Sequence, residues 1–219
     1  MGIQDLIESQ RRLAAQVIPT DELPASIATV AGVDAAFPRG RNVTRAAAVL
    51  MSYPGLDVLD QAVVEVTTTL PYIPGLLSFR ELPGVARAIG QLGTRPDLVL
   101  CDGQGRAHPR RLGIACHLGI ETGLATIGVA KSRLCGQADE PGTQKGARSP
   151  LEDGREIIGM VVRTRADVRP VYVSTGHRVS LETAVEWVLA CTPRYRLPEP
   201  IRLADKLAGR SASDAQSSI

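Results

Sequence analysis

Ala28-Thr29-Val30-Ala31-Gly32-Val33-Asp34-Ala35-Ala36 is a run of small and β-branched residues broken by a single carboxylate near its end. Such a run reads as a buried strand. Two more strand-like runs follow it, near residues 43–52 and 58–70. In the second of them Ala62, Val64, Val66, Thr68 and Leu70 share one face and Gln61 and Glu65 the other, which is the period of two of a strand with one buried side. Together the three runs predict an antiparallel meander.

Downstream of the Pro- and Gly-rich stretch 71–75 the pattern changes. A helix around 79–92, a short apolar strand Leu98 to Cys101, a helix around 111–121 and a strand 126–130 alternate, as parallel strands joined by crossovers do. Residues 136–154, rich in Gly, Pro and charge, read as an exposed loop before a strand 156–163. Leu181, Ala184, Val185, Val188 and Leu189 mark an amphipathic helix, and a last helix is expected over 199–208. At the other end, Ile3, Leu6, Ile7, Leu13, Ala14 and Val17 predict an opening amphipathic helix that stops before Pro19. The expectation is one α/β domain over residues 1–209, in which three antiparallel strands are followed by a parallel extension with helices packed on it. The Ser-rich 210–219 reads as a disordered tail.

Composition narrows the function classes. The 219 residues are 44% hydrophobic and 22% charged, an ordinary globular mix, and only 3% aromatic, which argues against a binder built on many stacked rings. The net charge of +2 excludes a protein that coats nucleic acid indiscriminately, so any contact with it must come from local clusters. No signal-peptide pattern opens the chain and no long uncharged apolar window occurs, which predicts a cytoplasmic protein with no membrane partner. Cys101, Cys116, Cys135 and Cys191 are scattered without zinc-site spacing and are expected as free thiols.

Chemistry concentrates at strand ends. Asp34 follows Thr-Val-Ala-Gly-Val, and Asp102 ends Leu-Val-Leu-Cys. A carboxylate ending a buried strand is costly to desolvate unless it is paired, hydrogen-bonded or metal-bound, and two such strands side by side would make an oxygen-rich site suited to Mg²⁺ or Mn²⁺. The plainer reading of each Asp is a turn cap. Glu81 lies near the start of a helix, where the dipole alone favours an acid. Asp102 to Arg111, Asp-Gly-Gln-Gly-Arg-Ala-His-Pro-Arg-Arg, is a Gly-rich turn followed by a basic cluster, and its amides can approach a phosphate or base closely. His108 replaces the third glycine of a dinucleotide fingerprint, so a nucleotide-cofactor enzyme is a weaker reading. Lys131, at the end of a strand, either holds a phosphate or is simply solvated. Pro71-Tyr72-Ile73-Pro74-Gly75 is a rigid apolar tip that can wedge between bases, or else an ordinary proline-bounded loop. His117 and His177 are expected to be structural.

Read in order, Gly-Val-Asp34, Pro71 to Glu81, Asp102-Gly-Gln-Gly with His108-Pro-Arg-Arg, Gly-Val-Ala-Lys131-Ser and Arg196 to Asp205 resemble the endonuclease V family, whose fold is of the ribonuclease H type. The resemblance implies a mixed sheet flanked by helices and a metal site of Asp34, Glu81 and Asp102, with Asp205 as an outer fourth member. It implies that Tyr72 and its neighbours Pro71, Ile73 and Pro74 form a strand-separating wedge, and that Gly75, Leu77, Gly103 and Ile114 line a pocket for a flipped-out base. His108 and Lys131 would lie near the scissile phosphate. The implied reaction is a Mg²⁺-dependent nick, with Mn²⁺ as a substitute, at the second phosphodiester bond 3′ to inosine. The substrate would be DNA, or inosine-containing RNA, in the repair of deaminated bases by a monomeric enzyme. Competing readings are another metal-dependent nuclease or a nucleotide phosphohydrolase on the same sheet, and a non-catalytic nucleic-acid binder.

Overall fold

The computed structural model describes residues 2–209. Its elements run α1 (Ile3–Ala14), β1 (Thr29–Ala36), β2 (Val43–Ser52), β3 (Val58–Thr67), α2 (Leu77–Gly90), β4 (Leu98–Asp102), α3 (Ile114–Thr122), β5 (Thr126–Ala130), β6 (Arg148–Asp153), β7 (Glu156–Val162), β8 (Val171–His177), α4 (Leu181–Ala190) and α5 (Glu199–Gly209). The strands form one 8-stranded sheet in the order β3-β2-β1-β4-β5-β8-β7-β6. β1, β2 and β3 pair antiparallel as the predicted meander, and β1, β4 and β5 run parallel.

Alternation along the central strands divides the core. Val30, Leu98, Leu100, Ile127 and Val129 face one side with Val185, Val188, Ile201 and Ala204 from α4 and α5. Ala31, Val33, Val99 and Cys101 face the other, with Val85 and Ala88 of α2 and Ala115 and Leu118 of α3. Each side chain of Val or Leu size buried in these layers contributes about 1.5 to 3 kcal/mol relative to exposure. Gly32 sits on the first face, where a Cβ would lie 2.5 Å from the amide nitrogen of Ile201. Its missing side chain is what lets α5 pack directly on β1.

Several expectations need correction. The parallel extension ends at β5, because β8 joins β5 antiparallel and β7 and β6 continue antiparallel beyond it. β8 is an element the sequence reading lacks, and His177 is its last residue. β6 occupies Arg148–Asp153 within the stretch read as an exposed loop; five of its six side chains are partly or fully exposed, as an edge strand's are, and only Leu151 is buried. The third strand stops at Thr67, since Pro71 and Pro74 cannot extend a ladder. Glu81 lies just beyond the first turn of α2, so a dipole role does not account for it. No helix among the described residues is long and apolar enough to cross a membrane. The tail expected at 210–219 falls outside the described residues.

Candidate active site

Register and pleat bring the two strand-end aspartates together. Val33 pairs with Cys101 across the parallel β1–β4 ladder, so Asp34 and Asp102 follow side by side at the same end of the sheet. Both have the parity of Val30, Leu98 and Leu100 and so belong to the face on which α5 packs. Asp205 comes from that helix. One carboxylate oxygen from each of Asp34, Asp102 and Asp205 lies within 4.8 Å of the other two. Lys131, one residue past β5, places Nζ 2.6 Å from Asp102 Oδ2 and 3.2 Å from Asp205 Oδ1. The contact with Asp102 is a short ion pair on a buried carboxylate oxygen.

The electrostatics are those of crowded acids. Burial, then the charge of Asp102, pushes the Asp34 carboxyl well above its ordinary range against the pull of the Ala35 amide and Lys131. Glu81 is pushed up to about 8 by burial and by Asp34 and Asp102. It approaches from α2, on the opposite face of the sheet, and stands outside the tight trio while still feeling its field. Burial also raises Asp102, opposed by Lys131. Burial lowers the Lys131 ammonium, but its contacts with Asp102 and Asp205 outweigh this and its net shift is upward. Three hard oxygen donors within 4.8 Å of one another and mutually repelling fit a divalent cation. Asp34, Asp102 and Asp205 would hold it, with Glu81 beside them.

A cavity of about 340 Å³ opens next to this cluster. Gly75, Leu77, Gly103 and Ile114 line it together with Tyr72, the residue expected as a wedge, and Glu81, Asp102, His108 and Lys131 border it. Pro71, Ile73 and Pro74 do not line it, nor do Asp34 and Asp205. Tyr72 is 65% exposed at the tip of its loop. His108 is buried and neutral, its imidazole lowered to about 4 by burial and then by the Arg110 charge. Its Nδ1 accepts from the Arg110 amide at 3.1 Å, so Nε2 carries the proton and donates to the Gly75 carbonyl at 3.1 Å. With both ring nitrogens engaged, His108 holds the loop in place and has no free nitrogen for proton transfer.

Three participants received no individual role from the sequence, although two of them, Gln104 and Arg110, lie in the Asp102–Arg111 segment singled out there. Gln10, fully buried on α1, donates from Nε2 to the Gly75 carbonyl at 3.0 Å and to that of Leu112 at 2.9 Å. Arg110 donates to the same Gly75 carbonyl at 2.7 Å and through Nε to Gln10 Oε1. Gln104 lines the cavity, donates to the Ser132 carbonyl at 3.0 Å, and has a buried Oε1 without a partner. For Gln10 the available signal was a polar residue within an apolar helical stripe. The histidines read as structural sit as such: His117 Nδ1 lies 3.2 Å from Ser78 Oγ, and His177 Nδ1 accepts from the Ile18 amide at 3.2 Å.

A mixed sheet of this order, with carboxylates gathered at the shared ends of its central strands beside a base-sized cavity, defines a ribonuclease H-like nuclease that uses a divalent metal. A family model described as Endonuclease V matches residues 11–206. The endonuclease V of Alkalilimnicola ehrlichii is 60% identical over 186 residues, covering 85% of this chain and 82% of that protein. The crystal structure of endonuclease V from Streptomyces avermitilis superposes with a TM-score of 0.92 at 42% identity, covering 98% of this chain and 95% of that one. That of Ciona intestinalis endonuclease V, in complex with a 24mer DNA containing an inosine followed by a ribo-adenosine, gives 0.82 at 28% identity over 98% of each chain. This chain belongs to the endonuclease V family and is an endonuclease.

Proposed function

We propose that the enzyme nicks DNA at the second phosphodiester bond 3′ to inosine, with Mg²⁺ as the ion and Mn²⁺ as its substitute. The observation that carries this reading is the adjacency of the Tyr72-to-Ile114 cavity and the carboxylate trio, which share Asp102 and Lys131 as a common border. The Ciona intestinalis relative bound to inosine-containing DNA supports it. Four cysteines without disulfides fit work in the reducing cytoplasm, and one continuous sheet fits a single domain over 1–209.

Each residue then has a task. Removing a base from the stack costs a few kcal/mol and least where pairing is poor, which favours inosine before any pocket contact forms. Tyr72, stiffened by Pro71 and Pro74, fills the space the base leaves. Gly75, Leu77, Gly103 and Ile114 receive the base. Asp34, Asp102 and Asp205, with Glu81 beside them, hold the ion, which when bound supplies Lewis acidity and a nucleophile made from water at neutral pH. Lys131 remains protonated and donates to the phosphate as negative charge grows on it.

Labelled DNA and RNA oligonucleotides carrying one inosine, incubated with Mg²⁺ or EDTA and resolved on a denaturing gel, test the reading. A metal-dependent cut one linkage beyond the 3′ neighbour, absent in Asp34→Ala, is expected. The gel also shows which sugar is preferred. No cut on either substrate refutes the proposal.

A further inference from the structure

A second, open groove of about 500 Å³ is lined by Arg11, Ala14, Arg106, Pro109, Arg110, Arg111 and Glu156, three of them the residues that directly follow His108. Four guanidinium groups border it against one carboxylate. Two of them are neutralised: Arg106 and Arg111 each contact Glu156 at 2.8 Å, and Arg111 also contacts Asp153 at 2.9 Å. The other two are not. Arg110 bonds only to neutral oxygens, those of Gly75 and Gln10, and neither it nor Arg11 has a carboxylate partner among the described residues. The Arg110 guanidinium is disfavoured in its charged form by burial and then by the charge of Arg11. Two like charges held together without a counter-ion make the groove a site that gains most from an anion with several acceptor oxygens.

We infer that Arg11 and Arg110 form a docking site for a backbone phosphate of the nucleic acid whose base occupies the neighbouring cavity. This rests on the nucleic-acid reading above. The connection is structural: Arg110 reaches the Gly75 carbonyl that His108 and Gln10 also hold, so the docked strand and the wedge loop share one anchor. Arg11 stands on α1, one residue after Gln10, and is exposed to solvent at the groove. A phosphate bridging the two guanidiniums would relieve their repulsion and fix the strand relative to Tyr72. Such contacts set position and affinity without reading sequence.

The test is equilibrium binding of an inosine-containing DNA duplex in EDTA across a range of NaCl, with wild type, Arg11→Gln and Arg12→Gln. Arg12 neighbours Arg11 on the same helix, is exposed, and bonds only to Ser9. Arg11→Gln is expected to lower affinity by roughly 3- to 10-fold at low salt and to reduce the slope of log K against log salt by about 0.9, the value of one phosphate contact on a duplex. With Mg²⁺ its KM should rise by a similar factor while kcat stays at the wild-type value. Arg12→Gln should match wild type in both assays. An Arg11→Gln slope equal to wild type, or an equal loss in Arg12→Gln, overturns the docking site and leaves the nuclease reading standing. A wild-type protein that binds no nucleic acid overturns both.

Discussion

The ammonium of Lys131 lies 2.6 Å from Oδ2 of Asp102, closer than it lies to Asp205. A permanently charged donor thus sits at the border between the carboxylate trio and the base cavity. If it serves the charge that develops on phosphate, Lys131→Ala should reduce kcat by about 100-fold and change affinity for an inosine duplex by less than about threefold. Single-turnover cleavage beside a binding titration separates the two quantities, and a loss confined to affinity contradicts this role.

Asp34→Asn separates activity from stability. Burial and Asp102 disfavour the Asp34 carboxylate, and its raised pKa means that the folded state holds a proton the unfolded chain has released. The folded protein therefore loses stability as pH rises through that range, and a neutral Asn avoids the loss. At pH 8 without metal the variant should be more stable than wild type by about 1 to 3 kcal/mol, and it should not cut. Added Mg²⁺ should raise the wild-type melting temperature and leave that of Asp34→Asn nearly unmoved. A less stable metal-free variant argues against the repulsion.

Tyr72 is a surface residue by packing. Tyr72→Ala should alter folding stability by less than about 0.5 kcal/mol, yet cut an inosine duplex at least about tenfold more slowly while single-stranded substrate suffers less. Equal rates on both substrates, matching wild type, would remove the wedge from the mechanism.

Gly75 has φ +77°, and a Cβ there would lie 2.6 Å from an Arg110 guanidinium nitrogen. Gly75→Ala both strains the backbone and displaces the donors on its carbonyl, at a cost of about 1 to 3 kcal/mol. Urea unfolding should show that loss, and the wedge-dependent duplex activity should fall with it. Wild-type midpoints and rates would mean the loop does not need this anchor.

Burial lowers the His117 imidazole to about 4, against an ordinary value of 6.5. The unfolded chain takes up a proton first as pH falls, so the stability His117 contributes is complete above about 6.5 and drains away down to about 4. Between pH 7 and 5 the stability difference between wild type and His117→Gln should narrow by about 2 kcal/mol. Chemical denaturation at the two pH values measures it; a constant difference would show that His117 titrates normally.

Much of this enzyme was legible in its residues because the signals are local. Continuous runs of small, apolar and β-branched residues along 28–36 and 98–102 mark buried strands, and each carries an aspartate at or near its end, so one ladder register suffices to join Asp34 and Asp102. The ordered motifs from Asp34 to Asp205 carried the family. What tertiary structure alone decided is non-local. β8 inserts between β5 and β7, strands that lie 40 and 8 residues or more away along the chain, and that order is set by packing across the sheet. Which face of the sheet α5 occupies puts Asp205 with the two strand aspartates and leaves Glu81 approaching from the other side, because Gly32 admits one helix backbone that closely and a side chain would not. The three donors on the Gly75 carbonyl come from residues 10, 108 and 110, and only a folded chain brings Gln10 to a loop 65 positions away. Periodicity determines which side chains share a face; packing determines which faces meet.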